Sequence, residues 1–162
     1  KTGADMKLWD GSCVVHEEFK FTELKDMITK YSDCDVLVHP ESPRSIISLA
    51  NVVGSTTKLI EASKTSKKKY IIVATEKGIF YQMKKLSPNK IFLEAPTAGR
   101  GATCISCARC PWMKLNTIDK LLKVFNEKDN EVFLPDDVIR DAKKSLSRMV
   151  SFKEKNIINK AS

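Results

Sequence analysis

The stretch Asp35-Val36-Leu37-Val38-His39-Pro40-Glu41-Ser42-Pro43 combines a short apolar run with a polar turn that contains two prolines. An apolar run of this length between polar residues predicts a buried strand over 35–38, and the prolines predict a stiff turn after it. The run 69–74 repeats the pattern and leads into Thr75-Glu76-Lys77-Gly78. Two such strands with helical spacing between them predict a parallel sheet, since parallel neighbours need a crossover connection.

Helical periodicity lies between and after these strands, where apolar residues recur every three or four positions. The predicted helices cover 21–31, 45–51, 79–86 and 116–127, with a last one from Pro135 through Met149. Further strands are predicted at 91–93 and 132–134. This alternation predicts an α/β fold of three layers, with helices on both faces of a mainly parallel sheet.

Polar side chains follow the predicted strands. His39 and Glu41 stand two residues apart after the first strand, so they point the same way at the edge where open α/β sheets bind ligands. A histidine beside a carboxylate suits proton transfer; the alternative is a helix cap by Glu41 or Ser42 next to an incidental histidine. Ser55 and Thr56 follow Gly54 and open another helix, which predicts either an anion site or an ordinary N-cap.

Three of the five cysteines, Cys104, Cys107 and Cys110, occur at two-residue spacings, with Pro111 directly after them. Crowded thiolates of this kind suit zinc or an iron–sulfur cluster. The alternative is a redox pair plus one structural thiol, because Cys-x-x-Cys also forms reversible disulfides. Three local cysteines do not complete a four-ligand site, so a further ligand must come from elsewhere in the chain. Cys13-x2-His16 is a candidate ligand pair. For His16 alone, a structural role is equally open.

Composition narrows the class of protein. The chain has 162 residues, 42% hydrophobic and 30% charged, as expected of a soluble globular domain. No apolar run approaches the ~20 residues that span a bilayer, so we expect no membrane partner. The net charge is +8, but the lysines are scattered, which predicts a solvated surface rather than a nucleic-acid interface. Five cysteines, three of them in a cluster-like motif, favour a reducing, cytoplasmic location.

Several motifs, taken in order, resemble one known family. They are Trp9-x3-Cys13-x2-His16-Glu17, His39-Pro40-Glu41-Ser42-Pro43, Gly54-Ser55-Thr56, Ala74-Thr75-Glu76 and Cys104-x2-Cys107-x2-Cys110-Pro111-x-Met113. Together they resemble the bacterial quinolinate synthases, iron–sulfur enzymes of NAD biosynthesis, over almost the whole chain.

The resemblance implies a 4Fe–4S cluster held by three cysteines, with one iron left open for substrate. It implies an enzyme that condenses iminoaspartate, supplied by L-aspartate oxidase, with dihydroxyacetone phosphate to form quinolinate. Cys13 and Cys110 match two cluster ligands, and Cys104 and Cys107 are implied to form a reversible disulfide beside the cluster. The implied substrate-binding residues are His16, His39, Glu41, Ser55 and Thr56, of which His39 and Glu41 are the expected acid/base groups.

The same resemblance implies how the chain is divided. The family's fold has three related α/β repeats; residues 1–52 correspond to part of one repeat, 53–150 to a second, and 151–162 to a basic tail. The amino-terminal repeat, with the first cluster cysteine, is absent from this sequence, so we expect a carboxyl-terminal fragment that is inactive alone. The alternative function is a zinc-stabilised binding module, using the three clustered cysteines and either Cys13 or His16.

Overall fold

The computed structural model describes residues 5, 7, 9–98, 107–128 and 130–161, with the backbone alone for 153–161. The chain forms two compact units, Lys1–Asn116 and Thr117–Ser162. The first unit contains all the strands of the described residues. The predicted assignment of 1–52 and 53–150 to two repeats stays a prediction; the strands of one sheet lie on both sides of residue 52.

The sheet of the first unit has four strands, all parallel. They are β1 (Cys34–Val38), β2 (Val52–Val53), β3 (Tyr70–Ala74) and β4 (Ile91–Glu94), in the order β2-β1-β3-β4. In the register, Val36 lies opposite Ile72, and Ile72 lies opposite Leu93. The predicted α/β fold with a parallel sheet is confirmed.

Among the described residues, five α-helices accompany the sheet: α1 (Val14–Glu17), α2 (Phe21–Lys30), α3 (Arg44–Ile47), α4 (Thr56–Thr65) and α5 (Ile79–Leu86). Alternate strand residues face opposite ways, which divides the apolar side chains into two clusters. One cluster joins Val36, Val38, Ile72 and Ala74 to residues of α1, α2 and α3. The other joins Leu37, Ile71 and Val73 to residues of α4 and α5. The sheet is therefore the middle layer of three, as predicted.

The two central strands are the best-buried part of the unit. Leu37, Ile71 and Ile72 are 0% exposed, and full burial of such a side chain contributes about 1.5–3 kcal/mol. Both faces of these strands are covered, which explains why their sequences are continuous apolar runs rather than alternating ones. This rigid centre holds the loops that follow the strands.

The second unit is helical. It contains α6 (Ile118–Lys123), whose first turn is capped by the Thr117 hydroxyl accepting from the Lys120 N–H at 3.2 Å, and α7 (Asp136–Ala161). Asp136 and Asp137 lie in the first turn of α7, where negative charge offsets the positive end of the helix dipole. Helix α7 continues past Met149, so the backbone of the basic segment up to Ala161 is helical.

The predicted strand at 132–134 is wrong, because these residues have irregular backbone. A three-residue apolar run becomes a strand only where a neighbouring strand takes up its hydrogen bonds. In the part of the chain that the structure describes, no strand pairs with residues 132–134.

None of the described helices combines the length and apolar character needed to cross a bilayer.

Candidate active site at the carboxyl edge of the sheet

The four parallel strands bring their following loops to one edge of the sheet. His39 follows β1, Gly54 follows β2, Thr75 follows β3 and Ala95 follows β4. Because the chain passes from β1 to β2 on one side and then to β3 on the other, the strand order reverses between β1 and β3. In open α/β sheets a reversal of this kind creates the crevice in which ligands bind.

The short helix α1 brings a thiol and an imidazole to this crevice. The Cys13 carbonyl accepts from the N–H groups of His16 and Glu17 at 3.0 and 3.1 Å, which forms the single turn. Val15, which lies between Cys13 and His16 in the sequence, packs into the core and is 3% exposed. His16 is thereby 6% exposed, and its Nε2 lies 3.0 Å from Oγ1 of Thr75 at the end of β3.

His16 also meets the turn that follows β1. Its ring stacks on the ring of His39, with centroids 4.2 Å apart and planes inclined by 10°. Oε2 of Glu41 lies 3.2 Å from Nδ1 of His16 and 3.7 Å from Nδ1 of His39. The contact with His16 lacks the geometry of a hydrogen bond, so Glu41 acts on His16 chiefly through its charge. Two histidines and a carboxylate thus share one small volume.

Burial makes His16 a weak base. It lowers the pKa of His16 below the usual value for histidine; the nearby His39 lowers it further, and the Glu41 carboxylate raises it in part. The net effect is a lowered pKa, so the His16 imidazole is neutral at neutral pH. A neutral imidazole offers one N–H donor and one nitrogen acceptor, rather than two donors.

Cys13 belongs to the same group. One sulfur of Cys13, one ring nitrogen of His16 and one carboxylate oxygen of Glu41 all lie within 4.8 Å of one another, close enough to hold a metal ion. A cavity of about 420 Å³ opens beside them, lined by Trp9, Gly11, Ser12, Cys13 and Glu41. Thiolate, imidazole and carboxylate are ligands for iron and zinc, so the arrangement is suited to metal chemistry on a bound ligand.

Cys110 lies on the same face of the sheet as Cys13. Both are free, half-buried thiols, and both pack against the core cluster on the α1 side. The segment of Cys110 is held at the carboxyl edge, because the Ala108 carbonyl accepts from the Lys77 N–H at 2.7 Å in the turn after β3. Two half-buried thiols on one face are a donor set that iron–sulfur clusters use.

Comparison with known families decides the assignment. The family model NadA, described as quinolinate synthetase A protein, matches residues 1–151.

The chain belongs to the quinolinate synthetase A family.

The resemblance drawn from the sequence is thus confirmed, and membership indicates a quinolinate synthase, an enzyme of NAD biosynthesis. The family is known for an iron–sulfur cluster, and among the described residues Cys13, His16 and Glu41 form a group that could hold a metal ion. Glu41 and the buried His16 are the polar side chains next to Cys13 in this group.

The quinolinate synthetase A motif around Cys110 contains two further cysteines, Cys107 and Cys104. Cys107 is an exposed free thiol whose backbone N–H donates to Oγ1 of Thr97 at 2.9 Å. Cys104 lies outside the described residues, so a reversible disulfide between Cys104 and Cys107 stays a prediction.

Ser55 and Thr56 lie on the neighbouring loop. Ser55 caps α4, where its hydroxyl accepts from the Lys58 N–H at 3.4 Å, and Thr56 is the first residue of that helix. Both side chains are exposed. The geometry is that of an N-cap at the carboxyl edge, and an anion-binding role stays a prediction.

Sequence reasoning missed an ion pair at this edge. The Lys77 ammonium contacts Oε1 of Glu94, the last residue of β4. A carboxylate at the end of an otherwise apolar strand was the available signal, although nothing in the local sequence indicates its partner. Thr75 was noted only as part of a motif, and its contact with His16 joins residues 59 positions apart.

Proposed function

We propose that the protein is a quinolinate synthase that condenses iminoaspartate with dihydroxyacetone phosphate at the carboxyl edge of the sheet, with release of phosphate and water. The observation that carries the proposal is the convergence of Cys13, His16, His39 and Glu41 in a chain of this family. Isomerisation and dehydration need proton transfers, and a histidine beside a carboxylate is the pair that performs them most often.

His39 and Glu41 are the proposed acid/base residues. Glu41 lines the cavity and its side chain is 58% exposed, while the His39 side chain, 19% exposed, lies beside it with Nδ1 3.7 Å from Oε2 of Glu41. The Glu41 N–H donates to Nδ1 of His39 at 3.4 Å, which places the ring proton on Nε2 when the imidazole is neutral. His39 would therefore deliver protons from Nε2, while Glu41 accepts them.

Cys13 and Cys110 are the proposed ligands of a 4Fe–4S cluster, supported by their free, half-buried state on one face. When bound, the cluster supplies an open iron that acts as a Lewis acid on a substrate oxygen. The substrates carry carboxylates and a phosphate, and Ser55 and Thr56 at the amino end of α4 are proposed to bind these groups. Thiol ligands are stable in a reducing compartment, which fits a cytoplasmic enzyme supplied by L-aspartate oxidase.

Iron retention tests the cysteine assignment. We expect Cys13→Ala and Cys110→Ala in the full-length gene product, purified without oxygen, to lose most of the iron and the brown visible absorption. Cys34→Ala is the matched control, because Cys34 is also a half-buried free thiol but lies at the opposite end of β1. Cys104→Ala should also retain iron. Equal iron loss in all four variants would contradict the assignment, and a colourless protein with tetrahedral zinc would support a zinc-stabilised module instead.

The same preparations test the chemistry. His39→Ala should keep its iron and lose quinolinate formation, measured by chromatography of the product. A near-normal rate in this variant would remove His39 from the mechanism, whatever the result for the cysteines.

A further inference from the structure

Thr75 is a buried polar residue that the proposed mechanism does not use. It is 1% exposed and directly follows β3, where the Ala74 carbonyl accepts from the His39 N–H at 3.1 Å. Its hydroxyl lies 3.0 Å from Nε2 of His16. A buried hydroxyl needs a partner, and here the partner is a residue of the site itself.

We propose that Thr75 is a positioning residue: by donating to Nε2, its hydroxyl holds His16 in the tautomer that Glu41 favours, with the ring proton on Nδ1 and facing the Cys13–Glu41 side of the site. This inference rests on the proposed function for its catalytic consequence. It assigns His16 the role of a neutral hydrogen-bond donor to an oxygen of the substrate, and leaves proton transfer to His39.

The charges around the ring determine the tautomer. A hydroxyl can donate or accept, so the contact between Thr75 and Nε2 permits either form. The contact on the other side does not, because Oε2 of Glu41 lies 3.2 Å from Nδ1 and an ionised carboxylate only accepts. The carboxylate of Glu41 would repel the lone pair of an unprotonated Nδ1, whereas it attracts an Nδ1–H. The proton therefore lies on Nδ1, and the Thr75 hydroxyl donates to Nε2.

The resulting Nδ1–H is a donor prepared for a ligand. It is buried, and its nearest acceptor, Oε2 of Glu41 at 3.2 Å, attracts it without the geometry of a hydrogen bond. Stacking on His39 holds the plane of the ring. The Glu41 side chain is 58% exposed, so it can turn toward water when a ligand oxygen takes its place. An unpaired buried donor is costly without a ligand, and an oxygen of the bound substrate would satisfy it.

Threonine suits this position for two reasons. Its branched Cβ restricts rotation about χ1, so the hydroxyl direction is defined by the end of β3. Its methyl group belongs to the buried surface, and valine therefore replaces it with almost the same shape but without the hydroxyl. Thr75→Val removes the hydrogen bond alone, and Thr75→Ser restores the hydroxyl while it removes the methyl group.

The test reads the tautomer directly. NMR of the iron-free, full-length gene product with isotope-labelled histidine shows which ring nitrogen of His16 is protonated, and His16→Asn identifies its signals. We expect Nδ1–H in the wild type and in Thr75→Ser, and a mixture of tautomers in Thr75→Val, because Nε2 then loses the hydroxyl that donates to it and Glu41 alone favours the Nδ1–H form. With iron present, Thr75→Val should lower kcat about ten- to a hundredfold, by analogy with the loss of a hydrogen-bond partner from a metal-ligating histidine. Its iron content should not change, and serine should restore the rate.

Two results would overturn the proposal. A wild-type His16 protonated on Nε2 refutes it without any variant, even if Thr75→Val does not fold. Equal activity losses in Thr75→Val and Thr75→Ser, with the wild-type tautomer in both, would show that Thr75 only fills space. A protein with the expected tautomers that forms no quinolinate would contradict the proposed function and leave the role of Thr75 standing.

Discussion

Replacing Lys77 by methionine should destabilise the protein more than replacing its partner Glu94 by glutamine. The Lys77 ammonium pairs with Oε1 of Glu94, while Oε2 is buried and has no hydrogen-bond partner in the described part of the chain. The two side chains are unequally exposed, 39% for Lys77 and 23% for Glu94. Removal of the cation leaves a mostly buried carboxylate, whereas removal of the anion leaves an ammonium that can reach water.

The magnitude follows from these exposures. A fully buried pair that loses one partner costs about 3–5 kcal/mol, and an exposed pair contributes about 0–1 kcal/mol. Since Glu94 is nearer the buried case, we expect Lys77→Met to cost about 2 kcal/mol. Glu94→Gln removes the charge that burial penalises and should cost about 1 kcal/mol or less. With a denaturant slope of about 1–3 kcal/mol per molar urea, Lys77→Met should lower the urea midpoint by roughly 1 M.

Urea denaturation followed by far-ultraviolet circular dichroism measures both variants and the double variant. The double variant should be more stable than Lys77→Met, because it removes the unpaired carboxylate. Iron content should not change, since the Lys77 backbone N–H still donates to the Ala108 carbonyl. The reasoning is refuted if Glu94→Gln costs as much as Lys77→Met, or if the double variant is no more stable than Lys77→Met.

Two further predictions concern a thiol and a glycine. Burial raises the pKa of the Cys34 thiol, so at pH 8 iodoacetamide should modify Cys34 far more slowly than the exposed Cys107. Mass spectrometry of peptides measures both rates. Equal rates would show that Cys34 is accessible. A Cβ on Gly11 would lie 2.5 Å from Cδ1 and Nε1 of Trp9, so Gly11→Ala should displace this exposed indole and shift its fluorescence in a Trp112→Phe background. The free energy of unfolding should change by less than about 0.5 kcal/mol, and an unchanged spectrum would contradict the contact.

The central layer of the fold was predictable because its signals are local. The apolar runs that became β1 and β3 are continuous, since both faces of these strands are covered, and each leads into a polar turn. The two-residue strand β2 carries no such signal, and its place beside β1 comes from the parallel pairing of Leu37 with Val52. The apolar run 132–134 shows the converse, a local strand pattern that no neighbouring strand supports among the described residues.

The site was predictable only in part, for the same reason. The common direction of His39 and Glu41 follows from their spacing, whereas the contact of His16 with Thr75 depends on α1 lying at the end of β3. Cysteine spacing predicts one crowded group of thiols, but Cys107 is exposed and Cys110 is half-buried. Side-chain partners that are distant in the sequence are determined by strand order, which local periodicity does not contain.

The single turn of α1 has a consequence for how the protein responds to damage. The Cys13 carbonyl accepts the N–H of His16, so the sulfur and the imidazole are carried by one rigid piece of backbone four residues long. A modification of Cys13 that tilts this turn therefore also moves the imidazole relative to Thr75. Chemical injury at the sulfur would thus also be felt as lost affinity for substrate, even before any metal has departed.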